Sequence, residues 1–357
     1  LMGSKRWVLL RFLAVMTLAG LVIACGAAAT PAVVEKQVPV VKVVEVEKPA
    51  GTLIIYSGRS ESLVDPIIRQ FSKATGIKVS VKYADTTQLA ATVLEEGAKS
   101  PADVFFAQDP GGLGAVEHLL APLPEGILSG VPEWARSPQG RWVGLSGRAR
   151  TVVYNTRKLT EADLPDDIFA FIDPKWKGRI GWPPTNASFQ IMVTAMRVQW
   201  GDAKTRQWLQ GIQANAPKAY PNNTAAVKAA GDGEIEVAFV NHYYLFRFLA
   251  EQGESFPARN YHPRAGGPGA LVMVAGAGIL TTSKNKEAAE KFLEFMLSPV
   301  AQQYFAGQTF EYPLVAEVNT HRALVPLSRI NQPNIPLKDL ADLKGTQGLL
   351  RETGVLP

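Results

Sequence analysis

From residue 51 onward the chain alternates short apolar strands with amphipathic helices. The stretch "GTLIIYSG" is typical of a strand, and the helix after it carries its apolar residues on one face and ends at Gly76. "IKVSVKYA" indicates a second strand, "TTQLAATVLEEG" a second helix and "ADVFFAQD" a third strand. This order predicts a mainly parallel sheet, and such sheets bind ligands at the carboxyl ends of their strands. The strand ends at 56–61 and 106–112 are therefore candidate ligand contacts.

A second alternating set follows the extended stretch "GRARTVVYN". It predicts a strand and a helix that starts near Asn186, then helix, strand and helix across 222–253. An extended run, "PGALVMVAGAGILTTS", and one amphipathic helix over 284–306 complete the set. Since about 300 residues exceed what one core usually holds, we predict an α/β fold of two lobes. Each lobe would be a mixed, mainly parallel sheet flanked by helices, with a ligand cleft between the lobes.

The first 50 residues predict export and anchoring. Basic residues precede the apolar run "FLAVMTLAGLVIA", which is too short to span a membrane and is typical of a signal peptide. "VIAC" resembles a bacterial lipobox, so we expect residues 1–24 to be a lipoprotein signal peptide and Cys25, the only cysteine, to be lipidated. Residues 25–50 would then be a tether that holds the protein to the outer face of the cell membrane. An ordinary signal peptide with a free cysteine, and a hairpin arm instead of a tether, are the alternatives.

Composition and motifs exclude several functional classes. The formal net charge of +5 is modest, and no basic run alternates with aromatic residues, so we expect no nucleic-acid partner. The sequence contains no G-x-S-x-G, no H-E-x-x-H and no phosphate-binding loop. Adjacent carboxylates such as Glu95 and Glu96 lie at a predicted helix end, where solvation explains them. The chain is therefore predicted to be a binding protein and not an enzyme.

An ordered series of motifs carries a family resemblance. "YSGRSE", "PADVFFAQD", "WVGLSGRARTVVYN", "PKWKGRIGWPPTNASF", "VNHYYLF", "PGAL" and "EYPL" occur in that order and span nearly all of residues 52–320. The series resembles the ferric-ion-binding proteins of bacterial ABC importers, which belong to the periplasmic-binding-protein superfamily, type II. The resemblance implies a monomer that delivers its ligand to a membrane permease driven by a separate ATPase. It also implies an N-lobe of 51–147 plus about 273–322, and a C-lobe of 148–272 plus about 323–357.

The resemblance gives the adjacent tyrosines, Tyr243 and Tyr244, the role of ferric ligands. Fe³⁺ is a small, hard cation that prefers anionic oxygen donors. Coordination to a trivalent ion stabilises the phenolate enough to overcome its ordinary pKa near 10. The pair lies where a predicted strand meets a predicted helix, so a change of dihedral angles there could let both phenols reach one point. Core packing with one solvent-facing hydroxyl is the alternative.

The sequence departs from the family at other ligand positions. Ser60 and Gln108 stand where one branch has an iron-binding histidine and glutamate, and the turn "PTNAS" lacks the tyrosine of another branch. Two phenolates are too few for a six-coordinate ion, so the resemblance implies carbonate or bicarbonate as a co-ligand. We expect this anion, or the surroundings of the metal, to involve Arg59, Ser60, Gln108, Arg148, Arg150, Asn186, Ser188 and Asn241.

Several assignments stay open on sequence alone. A third protein ligand could be Tyr56, Tyr154, Glu61 or Asp109, although the two tyrosines lie in apolar strand patterns typical of core packing. His242 is expected at the surface or beside the ligands. The alternative function is the same fold binding an organic or purely anionic solute such as a sugar, polyamine or phosphonate. In that case the indole rings available for stacking would be Trp142, Trp176 and Trp182.

Overall fold

A computed structural model describes residues 51–357 of the chain. The predictions for the signal peptide, Cys25 and the tether lie outside the described residues. Within the described part, no helix combines the length and the apolar character needed to cross a bilayer.

The described part of the chain forms one sheet of nine strands. The strands are β1 Thr52–Ser57, β2 Lys78–Tyr83, β3 Val104–Ala107, β4 Val143–Asn155, β5 Ile180–Trp182, β6 Lys218–Ala219, β7 Val237–Asn241, β8 Ala258–Tyr261 and β9 Val272–Ile279. Eight of them pair in the order β2-β1-β3-β9-β4-β7-β5-β6, and β8 pairs with β4 beside that path. Strand β1 is parallel to β2 and β3, and β5 is parallel to β6 and β7. Strand β4 is antiparallel to β7, β8 and β9, and β9 is also antiparallel to β3.

The helices flank this sheet and follow local sequence signals. The helices are α1 Glu61–Thr75, α2 Thr86–Glu96, α3 Pro110–Val116, α4 Glu125–Leu128, α5 Ala187–Ala214, α6 Asn223–Asp232, α7 Tyr243–Gln252, α8 Lys286–Leu297, α9 Pro299–Gly307 and α10 Leu343–Glu352. Gly76 ends α1 in the left-handed region at φ 71°, and the side chain of Asn186 caps the start of α5.

The single helix predicted over 284–306 is wrong. The structure divides it into α8 and α9, because Ser298 adopts an extended conformation and its side chain caps the new helix that Pro299 begins. Phe292 and Met296 are buried, while Phe295 is only half-buried.

Strand β4 connects the two halves of the molecule. Its first part, Val143–Ala149, pairs with β9, and its second part, Arg150–Asn155, pairs with β7 and β8. One apolar core packs around β1, β3, α1 and α8, and a second contains Trp176, Trp208 and Phe239. The arginines of "SGRAR" therefore lie where the chain passes from one half to the other.

Candidate functional site

The junction between β7 and α7 brings the adjacent tyrosines together. Strand β7 ends at Asn241, and α7 begins with Tyr243. The rings of Tyr243 and Tyr244 stack with centroids 4.2 Å apart and an interplanar angle of 30°, and both side chains are buried. Gln108 Nε2, at the end of β3, donates to Tyr243 Oη at 3.5 Å and to Tyr244 Oη at 3.2 Å. The two phenol oxygens thus converge on one point, reached also from the β3 end.

Three buried arginines surround this pair. Arg59 follows β1, whereas Arg148 and Arg150 lie in β4. The Cζ atoms of Arg59 and Arg148 lie 5.9 Å and 5.6 Å from the ring centroid of Tyr243. Buried guanidinium nitrogens remain without a hydrogen-bond partner on all three side chains: Arg59 Nε, Arg148 Nε and Nη1, and Arg150 Nε and Nη2. Buried donors are normally paired, so this cluster is suited to an oxygen-rich anion.

Arg150 is held by neutral groups. Its Nη1 donates to Ser188 Oγ at 3.1 Å and to Asn241 Oδ1 at 2.9 Å. Asn223, which the sequence analysis missed, donates from Nδ2 to Asn186 Oδ1 at 2.9 Å and to Ser188 Oγ at 3.1 Å. The start of α5 and the end of β7 are thereby joined into one polar network next to the tyrosines.

The electrostatic environment of the cluster is strongly perturbed. Burial lowers the pKa of Arg150 to about 9. Burial and the nearby charge of Arg59 also lower the pKa of Arg148. For Arg59, burial acts to lower the pKa, but Glu311 together with Tyr243 and Tyr244 outweighs it and the pKa is raised. Burial, and then the charge of Tyr243, raise the pKa of Tyr244 well above its ordinary value.

Glu311 is a further member of the cluster that sequence reasoning missed. It is completely buried, and its carboxylate pairs with Arg59 at 2.6 Å and with Arg148 at 3.5 Å. Burial acts to raise the pKa of Glu311, but the two arginines and the hydrogen bond from Ser146 together outweigh it and hold the pKa below its ordinary value. The available signal was the motif "EYPL", in which a carboxylate precedes apolar residues.

Some predicted residues lie away from the cluster. Ser60 and Glu61 are exposed at the start of α1. Tyr56 donates to Glu96 Oε1 at 2.9 Å, and Tyr154 packs in the second apolar core. Asp109 is buried and its Oδ1 caps α3 by accepting from Gly112 N at 3.1 Å, while its Oδ2 has no partner. Of these five residues, Asp109 is the one whose side chain has a fully buried oxygen without a hydrogen-bond partner.

Of the two expected locations for His242, the surface is wrong and the position beside the ligands is correct, since its ring lies edge-on to that of Tyr243 with centroids 5.6 Å apart. The ring is 1% exposed; Nδ1 accepts from Ala149 N at 3.1 Å and Nε2 lies 2.8 Å from Phe310 O. Burial lowers its pKa to about 3, so the ring is neutral at physiological pH. His242 fixes the junction before the tyrosines to β4 and to the segment after α9.

The stacking surface needed for an organic solute is missing at the candidate tryptophans. Their side chains lie inside the apolar cores, with exposed fractions of 2% for Trp142, 1% for Trp176 and 4% for Trp182. The described residues also contain no group of three or more His, Cys, Asp or Glu side chains placed to hold a metal ion. The paired phenols and the buried arginines remain the candidate binding groups among the described residues.

The chain is similar in sequence to known bacterial binding proteins. The sequence profile of bacterial extracellular solute-binding proteins matches residues 67–325. The major ferric iron-binding protein of Neisseria meningitidis serogroup B is 36% identical over 315 residues, covering 85% of this chain and 93% of that protein. Iron uptake protein A1 of Synechocystis is 32% identical over 296 residues, covering 80% and 82% respectively.

Solved structures give the same result for the fold. Iron-bound HitA from Pseudomonas aeruginosa superimposes with a TM-score of 0.81 at 34% identity, covering 85% of this chain and 99% of that one. A Trichodesmium protein in complex with iron and citrate superimposes with a TM-score of 0.71 at 30% identity and the same coverage. These neighbours confirm the predicted two-lobed α/β fold and the prediction of a binding protein in place of an enzyme. The chain belongs to the bacterial extracellular solute-binding proteins, in the group that contains the ferric iron-binding proteins.

Proposed function

We propose that this protein captures ferric ion outside the cytoplasm and delivers it to an ABC permease. The observation that carries the proposal is the convergence of two buried phenols, Tyr243 and Tyr244, beside three buried arginines. Similarity to a ferric iron-binding protein, an iron uptake protein and an iron-bound structure from different bacteria supports the same ligand.

Tyr243 and Tyr244 are the proposed metal ligands. Their hydroxyls already meet at Gln108 Nε2, so a single cation can reach both oxygens with little rearrangement. Fe³⁺ suits them because it is hard and trivalent. Since the pKa of Tyr244 is raised, its phenol is protonated at neutral pH without metal, and iron binding displaces that proton.

Carbonate or bicarbonate is the proposed co-ligand. Two phenolates leave one positive charge on Fe³⁺ and do not complete a six-coordinate sphere. The unpaired donors of Arg59, Arg148 and Arg150 fit a small planar oxyanion, because guanidinium groups bind such anions with two parallel hydrogen bonds. Asn241, Asn186 and Ser188 would hold Arg150 in place for that contact. Iron and anion then bind together in one site.

Closure about the crossing strands is the proposed way of retaining the ion. The predicted boundaries of the lobes, 147/148 and 272/273, lie opposite each other, since Arg148 pairs with Met273 in the β4–β9 ladder. We propose that the N-lobe (51–147 and about 273–322) and the C-lobe (148–272 and about 323–357) move about this ladder. The protein would act as a monomer, anchored through lipidated Cys25, with a permease and its ATPase as partners.

A colour test addresses the function directly. On addition of Fe³⁺ with bicarbonate, we expect the purified protein to develop a visible phenolate-to-iron charge-transfer band. The Tyr243→Phe variant should lose most of the band and about a hundredfold or more in affinity. Tyr304→Phe removes a phenol that bonds Leu63 O, and it should leave band and affinity unchanged. A colourless wild-type protein, or full colour in Tyr243→Phe, would refute the proposal.

A further inference from the structure

Glu311 joins the arginine cluster from a third segment of the chain. Its Oε1 accepts from Arg59 Nη2 at 2.6 Å and from Thr309 Oγ1 at 3.0 Å. Its Oε2 accepts from Ser146 Oγ at 2.6 Å and from Arg148 Nη2 at 3.5 Å. Both carboxylate oxygens are therefore engaged, and the group is held from the β1 end, from β4 and from its own segment.

The position of Glu311 is fixed by backbone pairing at the crossing of the lobes. The next residue, Tyr312, exchanges two backbone hydrogen bonds with Gly147, at 2.7 Å and 2.8 Å. Gly147 lies between Ser146 and Arg148, so the carboxylate is set directly against the part of β4 that carries the arginine. Glu311 thus belongs to the frame of the site and is rigidly oriented.

The hydrogen bonds of Glu311 select which donors remain available. Arg59 and Arg148 each use Nη2 on the carboxylate, while Arg59 Nε and Arg148 Nε and Nη1 are buried and unpaired. Both guanidinium groups lie within 6 Å of the Tyr243 ring. The carboxylate also cancels one positive charge of the cluster at close range, where water does not screen it.

We propose that Glu311 is a positioning and specificity-determining residue. It orients Arg59 and Arg148 towards the tyrosines, and it reduces their net charge so that the cleft holds a small oxyanion weakly until the ferric ion arrives. Anion binding thereby depends on the metal. This inference rests on the proposed function of the arginine cluster as the anion site.

The first experiment removes the charge and needs no iron. Inorganic phosphate is titrated into the metal-free protein and binding is followed by calorimetry and by the shift in melting temperature. Glu311→Gln should bind phosphate about tenfold or more tighter than the wild type, because the arginines lose their internal counter-charge. Glu96→Gln removes a half-buried carboxylate bonded to Tyr56 and Ser100, and should match the wild type. Unchanged phosphate affinity in folded Glu311→Gln would overturn the charge role.

The second experiment keeps the negative charge at position 311 but changes its position. Glu311→Asp retains the carboxylate but withdraws it by one methylene, so phosphate affinity should stay within about threefold of the wild type. Its affinity for Fe³⁺ in the presence of bicarbonate should fall about tenfold or more, since the arginines are displaced. Full iron affinity in Glu311→Asp would overturn the positioning role, and this variant decides the matter if Glu311→Gln does not fold. Failure of the wild type to bind iron would instead count against the proposed function, because the phosphate titration is independent of it.

Discussion

Arg150 is a buried cation whose hydrogen-bond partners are neutral. Ser188 and Asn241 accept from its Nη1, and burial lowers its pKa to about 9, which leaves it charged at neutral pH. A buried charge without a counter-ion is costly to the fold. Its retention next to the paired tyrosines is consistent with a charge that an anion neutralises on binding.

Replacement of Arg150 should therefore separate anion binding from metal binding. In Arg150→Met we expect affinity for Fe³⁺ in the presence of bicarbonate to fall about tenfold or more. The increase in iron affinity that bicarbonate produces should also become small. Iron competition assays with and without bicarbonate measure both quantities. Arg206→Met, a change at a partly exposed arginine paired with Glu352, is the matched control and should behave as wild type. A bicarbonate effect of normal size in Arg150→Met would contradict this role.

Helix α3 connects the β3 end of the site to the C-terminal segment. Asp109 caps the helix, Pro110 begins it, and its glycines allow close packing. A Cβ atom at Gly114 would lie 2.4 Å from Ala341 Cβ and 2.9 Å from Ala341 Cα, and one at Gly111 would lie 2.8 Å from Ile191 Cδ1. Neighbouring residues therefore require glycine at these positions, since none of the α3 glycines has a positive φ.

A larger residue on this face should disturb the packing. Gly114→Val is expected to lower the free energy of unfolding by about 1–3 kcal/mol, because the added side chain would collide with Ala341 Cβ and with the backbone of Ala341. A backbone cannot move aside as the end of a flexible side chain can. Chemical denaturation of the metal-free protein measures the change. Gly126→Val in α4 introduces the same side chain where no atom lies within 4 Å of the added Cβ, and should be nearly neutral. Equal free energies of unfolding for the two variants would show that the close contact with Ala341 does not affect stability.

The affinity of the whole protein for iron depends on pH, because iron binding releases a proton. The raised pKa of Tyr244 means that its phenol carries a proton at neutral pH in the metal-free protein, and that iron must displace it. Lower pH therefore opposes binding, by up to roughly tenfold in affinity per proton and per pH unit. We expect iron to be held at neutral pH and released progressively on acidification.

Competition with citrate between roughly pH 7.5 and 5.5 tests this dependence. Wild-type affinity should decrease steadily as the pH falls. The residual iron affinity of Tyr244→Phe should decrease less steeply than that of the wild type, because one titrating ligand has been removed. The difference between the two slopes should be about one power of ten in affinity per pH unit. Affinity that is independent of pH in the wild type would exclude phenolate ligation.

Local signals in the sequence account for most of the elements. Apolar periodicity predicted α1, α6 and α7, and the caps at Gly76 and Asn186 predicted where two helices end and begin. Such features depend on neighbours within a few positions, so a single sequence contains them. The break at Pro299 was also local, and it was missed because the apolar pattern continues across it.

The composition of the site depended on contacts between distant parts of the chain. Tyr243 and Tyr244 could be named from their motif, but Glu311 meets Arg59 across 252 positions and Asn223 meets Asn186 across 37. His242 became a buried framework residue because the carbonyl of Phe310, 68 positions away, lies against it. The three tryptophans Trp142, Trp176 and Trp182 are not exposed for stacking on an organic solute, because they pack inside the apolar cores. Periodicity specifies which face of an element is apolar, whereas the folded packing of those faces specifies which charges become neighbours and how far they are removed from water.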